Sequence, residues 1–186
     1  MEIAAFILSL ICVGLNAKGH ILTWPFAIAS SATYAWVFQD AKLFGDAALQ
    51  LVFIALAIYA WIQWHQGQIA VQSQLTFSRV SLKNAMQCSF AGIGLFLIIT
   101  WALITYTSSD VPYIDALLTA GSLIATYMSA HKWLENWLVW GLIDIAYVAL
   151  YIYKDLYLTA LLYSLFIALC VWGWQQWSTQ MNPVKA

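Results

Sequence analysis

The residues best suited to chemistry lie in one stretch of the chain's last third. Trp133, Trp137, Trp140, Asp144, Tyr147 and Tyr151 follow one another in steps of three and four. That spacing places all six on one face of a helix, with Leu, Val, Ile and Ala around the rest. Asp144 lies about 17 Å along such a helix from Trp133, near the middle of a bilayer if the helix spans one. A carboxylate at that depth costs about 2.5–3.5 kcal/mol on insertion scales. It therefore faces a bundle interior or a wet cavity, and by default marks a functional site. The plainer alternative is an acid bonded to a neighbouring helix, but no Lys or Arg is expected at matching depth to fix it in an ion pair. Two indole faces beside a carboxylate suit a flat organic cation, since cation–π attraction is worth about 2 kcal/mol where water is excluded.

A weaker version of this stripe occurs on the second helix, as His20, Trp24, Ala27, Ser31, Tyr34 and Phe38. A serine stands where the other stripe has its acid, so the site is asymmetric, as one asymmetric ligand requires. The expected substrate-binding residues are Trp133, Trp137, Trp140, Asp144, Tyr147 and Tyr34, with Gln87 and Gln50 as further polar candidates within spans. Tyr163 shares the character of Gln50, and Asn84 lies nearer the surface. Glu135 reads as an acid favouring a helix start, and Asn16 and Ser129 as helix-end caps. Trp61, Trp64, Trp174 and Trp177 read as an interfacial belt.

Other chemistries find little footing. Cys12, Cys88 and Cys170 are far apart in apolar runs and read as small core residues. His20, His65 and His131 show no metal-ligand spacing, so no metal or cofactor is expected. The chain has no HExxH, no GxSxG and no close pair of acids within its apolar runs, which argues against an enzyme and leaves no catalytic residue to name.

The elements that must position the stripe are membrane helices. Of 186 residues, 63% are hydrophobic and 8% charged, against about 25% charged in soluble domains. Mean hydropathy is +0.79. The net charge of −1 gives no basic footprint for nucleic acid. The sequence predicts an all-α membrane protein whose seven helices span about 2–17, 20–39, 46–64, 86–106, 112–130, 133–152 and 157–177. The dividers are 16–19, 40–42, 108–112, 131–132 and 154–155, with a longer polar stretch over 65–84. Glu2 denies the first run the basic start of a signal peptide, so a retained helix is expected. With the N-terminus outside, Lys18, Arg79, Lys83, Lys132 and Lys185 fall inside, and Lys42 and Lys154 outside, which favours a cytoplasmic C-terminus.

Shifted by 113 residues, the chain resembles itself. Over 2–64 against 115–177, 16 of 63 positions are identical, where roughly 5 are expected by chance. Trp24 meets Trp137, Tyr34 meets Tyr147, and Phe53-Ile54-Ala55-Leu56 meets Phe166-Ile167-Ala168-Leu169. The organisation is then a first three-helix repeat over 1–64, a polar loop and linker helix over 65–111, a second repeat over 112–177 and a tail over 178–186. The odd helix restores the direction of the second repeat, giving a parallel 3+1+3 arrangement that resembles the SWEET sugar transporters.

The stretch Glu135-Asn136-Trp137-Leu138-Val139-Trp140-Gly141-Leu142-Ile143-Asp144 resembles the WxxWxxxN signature of the Pnu vitamin transporters (PnuC/PnuT type). Tyr147, Tyr151, Lys154-Asp155-Leu156-Tyr157 and Gly173-Trp174-Gln175-Gln176-Trp177 are similar to that family as well. The resemblance covers essentially the whole chain. It implies uptake of a B-vitamin precursor across the bacterial inner membrane by facilitated diffusion, with trapping by phosphorylation inside and a homotrimeric assembly. Asp144 replaces the Asn of the nicotinamide riboside pattern and resembles the thiamine-transporting branch. The implied partners are thus thiamine, a small cationic aromatic vitamin, and the lipid bilayer. The alternatives are nicotinamide riboside as the solute, or proton-coupled transport with Asp144 carrying the proton.

Overall fold

The computed structural model describes residues 2–40, 44–70, 76–107, 110–153 and 157–181. The dividers at 41–42, 108–109 and 154–155, with Lys42, Lys154 and Lys185 of the charge count, lie outside the described residues. These residues form seven α-helices and no strand: α1 (Glu2–Ala17), α2 (Thr23–Asp40), α3 (Phe44–Ala70), α4 (Leu82–Tyr106), α5 (Pro112–Ala130), α6 (Asn136–Tyr153) and α7 (Tyr157–Met181).

The boundaries follow local chemistry. Pro112 opens α5, where a missing N–H costs nothing. Ser81 caps α4 by accepting from the Asn84 N–H at 3.2 Å, so α4 starts at Leu82 rather than at 86. The largest departure is at α3, expected to end at 64 but running on to Ala70 into the polar stretch; another is at α6, expected from 133. Lys132 has φ 59°, its carbonyl accepts from Ser78 N–H at 3.1 Å, and Leu134 N–H donates to Ser78 at 2.9 Å. Trp133 is therefore held in a turn, and α6 begins at Asn136.

α1 and α5 end in the same way. His20 N–H reaches back to Leu15 O at 2.9 Å with Gly19 at φ 66°, and Trp133 N–H reaches back to Met128 O at 3.1 Å with Lys132 at φ 59°. Each is a left-handed helix stop. Glycine accepts this conformation freely; lysine adopts it at a cost. Burial also pushes the Lys132 ammonium below the usual lysine range, and its Nζ lies over the Trp64 ring at 5.9 Å.

Packing closes the helices into a ring. α1 contacts α2, α2 contacts α3, α3 contacts α5, α5 contacts α6, α6 contacts α7, and α7 returns to α1. α4 packs on α5 and lies outside the ring. Its outer surface shows Phe90 at 70%, Leu97 at 60% and Trp101 at 59% exposure. Water does not tolerate such a surface, and hydrocarbon does.

The main core gathers at the end of the ring where α1 and α5 finish. Trp24, Trp64, Phe77, Leu134, Trp137 and Trp177 are all buried there. Trp64 and Trp177 are fully buried, which removes them from an interfacial belt: belt residues keep their polar edge in water, and these do not. Trp61 is 41% exposed. Phe77, from the segment between α3 and α4, stacks on Trp177 at 4.3 Å and covers Gly19.

Candidate functional site

Asp144 sits on the inner face of α6 and is only 4% exposed. Cys170 of α7 donates its thiol to Oδ2 at 3.5 Å. A thiol is a weak donor, and among the described residues no Lys, Arg or His pairs with the carboxylate.

On one side of Asp144 lies the tryptophan core. Trp137 is 2% exposed and meets Trp177 edge-on at 5.4 Å. A Cβ on Gly173 would stand 2.5 Å from its ring, so glycine at 173 is what lets the indole lie against α7. Trp24 of α2 makes the matching contact with Trp64 at 5.3 Å. The indole N–H groups of Trp24 and Trp137 are both buried, and neither has a hydrogen-bond partner among the described residues. Buried orphan donors are rare and call for an explanation such as a ligand or ordered water. Trp140 packs against this core and also against the cluster of Ile143 and Leu150.

On the other side stands a tyrosine cluster. Tyr147 and Tyr151 stack at 5.7 Å, and Tyr163 of α7 closes on them at 4.7 and 5.2 Å. Tyr147 lies beside Ser122 of α5, and Tyr151 beside Tyr163. Asp115 and Asp144 both lie within electrostatic reach of Tyr147, and Tyr34 of α2 within reach of Tyr151. Four helices of the ring therefore supply polar groups to one interior region.

The structure brings Trp137, Trp140, Asp144 and Tyr147 together and sets Tyr34 opposite. It does not bring in Trp133, which leaves the stripe because it precedes α6. Trp133 packs instead with Cys88 and Met128 and stacks on His131 at 4.8 Å. Gln87 is exposed on α4, outside the ring, so it does not reach Asp144. Gln50 is half-buried on α3. Glu135 accepts from Val80 N–H at 2.8 Å and holds the segment before α4. Asn16 and Ser129 do not simply cap their helices: their side chains bond each other at 3.1 Å. Tyr163, a weaker candidate beside Gln50, joins the site, and Trp24, Cys170 and Ser122 join it unforeseen. Trp24 had a signal, its 113-residue alignment with Trp137; a small thiol in an apolar run gives none.

A cavity of about 360 Å³ lies between α6 and α7, lined by Leu138, Leu142, Val171 and Trp174 among others. The buried Trp137 and Cys170 also line it, while Leu142, 69% exposed, and Val171, 55% exposed, stand at its open side.

Comparison with known proteins bears on this geometry. Residues 1–179 match the family model described as "Nicotinamide mononucleotide transporter". The chain is 28% identical over 174 residues to the riboflavin/roseoflavin transporter RibM of Streptomyces davaonensis, covering 92% of this chain and 81% of that protein. It is 21% identical to the nicotinamide riboside transporter PnuC of Escherichia coli, covering 95% of this chain and 84% of that one. The crystal structure of a vitamin B3 transporter PnuC superposes with a TM-score of 0.77 at 20% identity, covering 96% of this chain and 80% of that chain.

Proposed function

The chain belongs to the nicotinamide mononucleotide transporter family, and from that premise we propose that it carries thiamine across the bacterial inner membrane by facilitated diffusion. The observation that carries this reading is Asp144: a buried carboxylate, unpaired with any cation among the described residues, set between indoles and tyrosines. Thiamine brings a permanent positive charge for the carboxylate and the ring faces. Its amino and hydroxyl groups suit tyrosine hydroxyls and the unpartnered indole N–H donors. Phosphorylation inside the cell then traps the vitamin and sustains the gradient.

The path we infer is alternating access by two parallel three-helix units, α1–α3 and α5–α7, joined by α4. Several features support this 3+1+3 reading. The helix stops at Gly19 and Lys132, the pairs Trp24–Trp64 and Trp137–Trp177, and the bonded residues Asn16 and Ser129 all recur at a spacing of 113. The ring closes through α1 with α7 and α3 with α5. We place the N-terminus outside and the C-terminus in the cytoplasm, and three copies in the working assembly.

Nicotinamide riboside is the second reading, favoured by the likeness to PnuC of Escherichia coli; it too carries a cationic aromatic ring. Calorimetric titration of the detergent-purified protein with thiamine, nicotinamide riboside and riboflavin, with Asp144→Asn as control, separates the readings. Tight thiamine binding weakened by the substitution supports the first. Binding of nicotinamide riboside alone keeps the transport reading and removes Asp144 as the residue that selects the vitamin. Accumulation that collapses with the pH gradient assigns Asp144 a proton instead.

A further inference from the structure

We propose that Trp64 and Trp177 are the latch that holds one end of the carrier shut, each by capping the first helix of the opposite three-helix unit. This rests on the alternating-access reading above. The last carbonyls of a helix have no donor within it. Trp64 Nε1 donates to Ser129 O at 3.2 Å and Ala130 O at 3.1 Å, at the end of α5. Trp177 Nε1 donates to Asn16 O at 3.0 Å, at the end of α1. The third helix of each unit thus caps the first helix of the other. Between the two caps, Asn16 Nδ2 donates to Ser129 Oγ at 3.1 Å. Asn16 and Ser129, like Trp64 and Trp177, stand 113 positions apart, so the pattern is a two-fold one centred on the Asn16–Ser129 bond.

The same end is sealed from outside the ring. Phe77 stacks on Trp177, and its segment is pinned by Ser78 to Lys132 and Leu134 and by Val80 to Glu135. Cys170, which bonds Asp144, belongs to the same packed core as both latch tryptophans. A solute beside Asp144 therefore cannot leave by this end while the indole–carbonyl bonds hold. When the units part, water replaces each partner, so one such bond changes the opening equilibrium by only about twofold to tenfold. A latch built this way is firm while closed and reversible, as a carrier working in both directions requires.

The first test removes the N–H and keeps the ring. In a background of Cys12→Ser and Cys88→Ser, Cys170 is labelled with a membrane-impermeant maleimide in vesicles of both orientations. Trp64→Phe and Trp177→Phe should each speed labelling about twofold to tenfold, in one orientation only. Unchanged labelling in the double variant overturns the latch. The second test joins Asn16→Cys to Ser129→Cys with a short bifunctional thiol reagent. Uptake should fall at least about tenfold, recover with reductant, and leave vitamin binding within about twofold; full uptake by the joined protein overturns the latch. If the unmodified protein carries none of the three vitamins, the transport reading fails, and the Cys170 labelling rate alone decides the latch.

Discussion

The two three-helix groups hold the same tryptophan pair in nearly the same geometry. Trp24 meets Trp64 at 5.3 Å and 87°, and Trp137 meets Trp177 at 5.4 Å and 81°. Yet the groups differ at one matched position of their stripes. Seven residues beyond its first tryptophan, the α2 stripe has Ser31 and the α6 stripe has Asp144. Gly173 stands where the first group has Ala60, and a Cβ on Gly173 would meet the Trp137 ring at 2.5 Å. The tryptophan frame is repeated in both groups, while the buried carboxylate of Asp144 sits in one of them.

The comparison is broken most directly at the acid. Asp144→Asn should weaken binding of a cationic vitamin by at least about tenfold, or about 1.4 kcal/mol, in a calorimetric titration. Adding Ser31→Asp to that variant should not restore binding; restoration would show that the two stripes are interchangeable. Next comes the close approach behind Trp137. Gly173→Ala should lower the detergent melting temperature by the equivalent of about 1–3 kcal/mol through overpacking, whereas Ala60→Gly should cost about 0.5–1 kcal/mol. Equal losses would mean that the two indoles are packed alike.

The helix stops give a smaller contrast. Gly19→Ala should destabilise by about 1–2 kcal/mol, because its backbone is left-handed and its Cβ would meet Phe77. Lys132→Gly should stabilise by up to about 1 kcal/mol in the same melting assay, less whatever its ring contact with Trp64 contributes. A loss at Lys132 would show that the ammonium over Trp64 matters more than the backbone. Smallest is the thiol: Cys170→Ala should change vitamin affinity by less than about threefold, since the bond it removes is weak and long.

Much of the fold was legible because bilayer helices advertise themselves. Runs of apolar residues set the helix count, and Pro112 and Gly19 marked two ends, while the Ser81 cap that starts α4 at Leu82 went unread. The exception at α6 is instructive. Helical spacing extends the stripe back to Trp133, but a cross-chain bond from Ser78 to Lys132 and a left-handed turn stop the helix. No local pattern announces a contact with a residue 54 positions away. The same holds for Gln87: its polarity suggested a site, and only the exclusion of α4 from the ring shows that it points elsewhere.

By itself the sequence determined an all-helical membrane chain, its spacing of 113, and a lone acid among aromatic residues on one helix face, because hydropathy and helical period act locally. Tertiary structure alone decided the rest. It put Trp64 and Trp177 in the core instead of the interface, gave their N–H groups to carbonyls of the opposite group, and set a cysteine thiol on Asp144. The physical reason is that a helix face states what it must bury, but not which helix will cover it. That choice is made by ring closure, where α7 meets α1 and α3 meets α5.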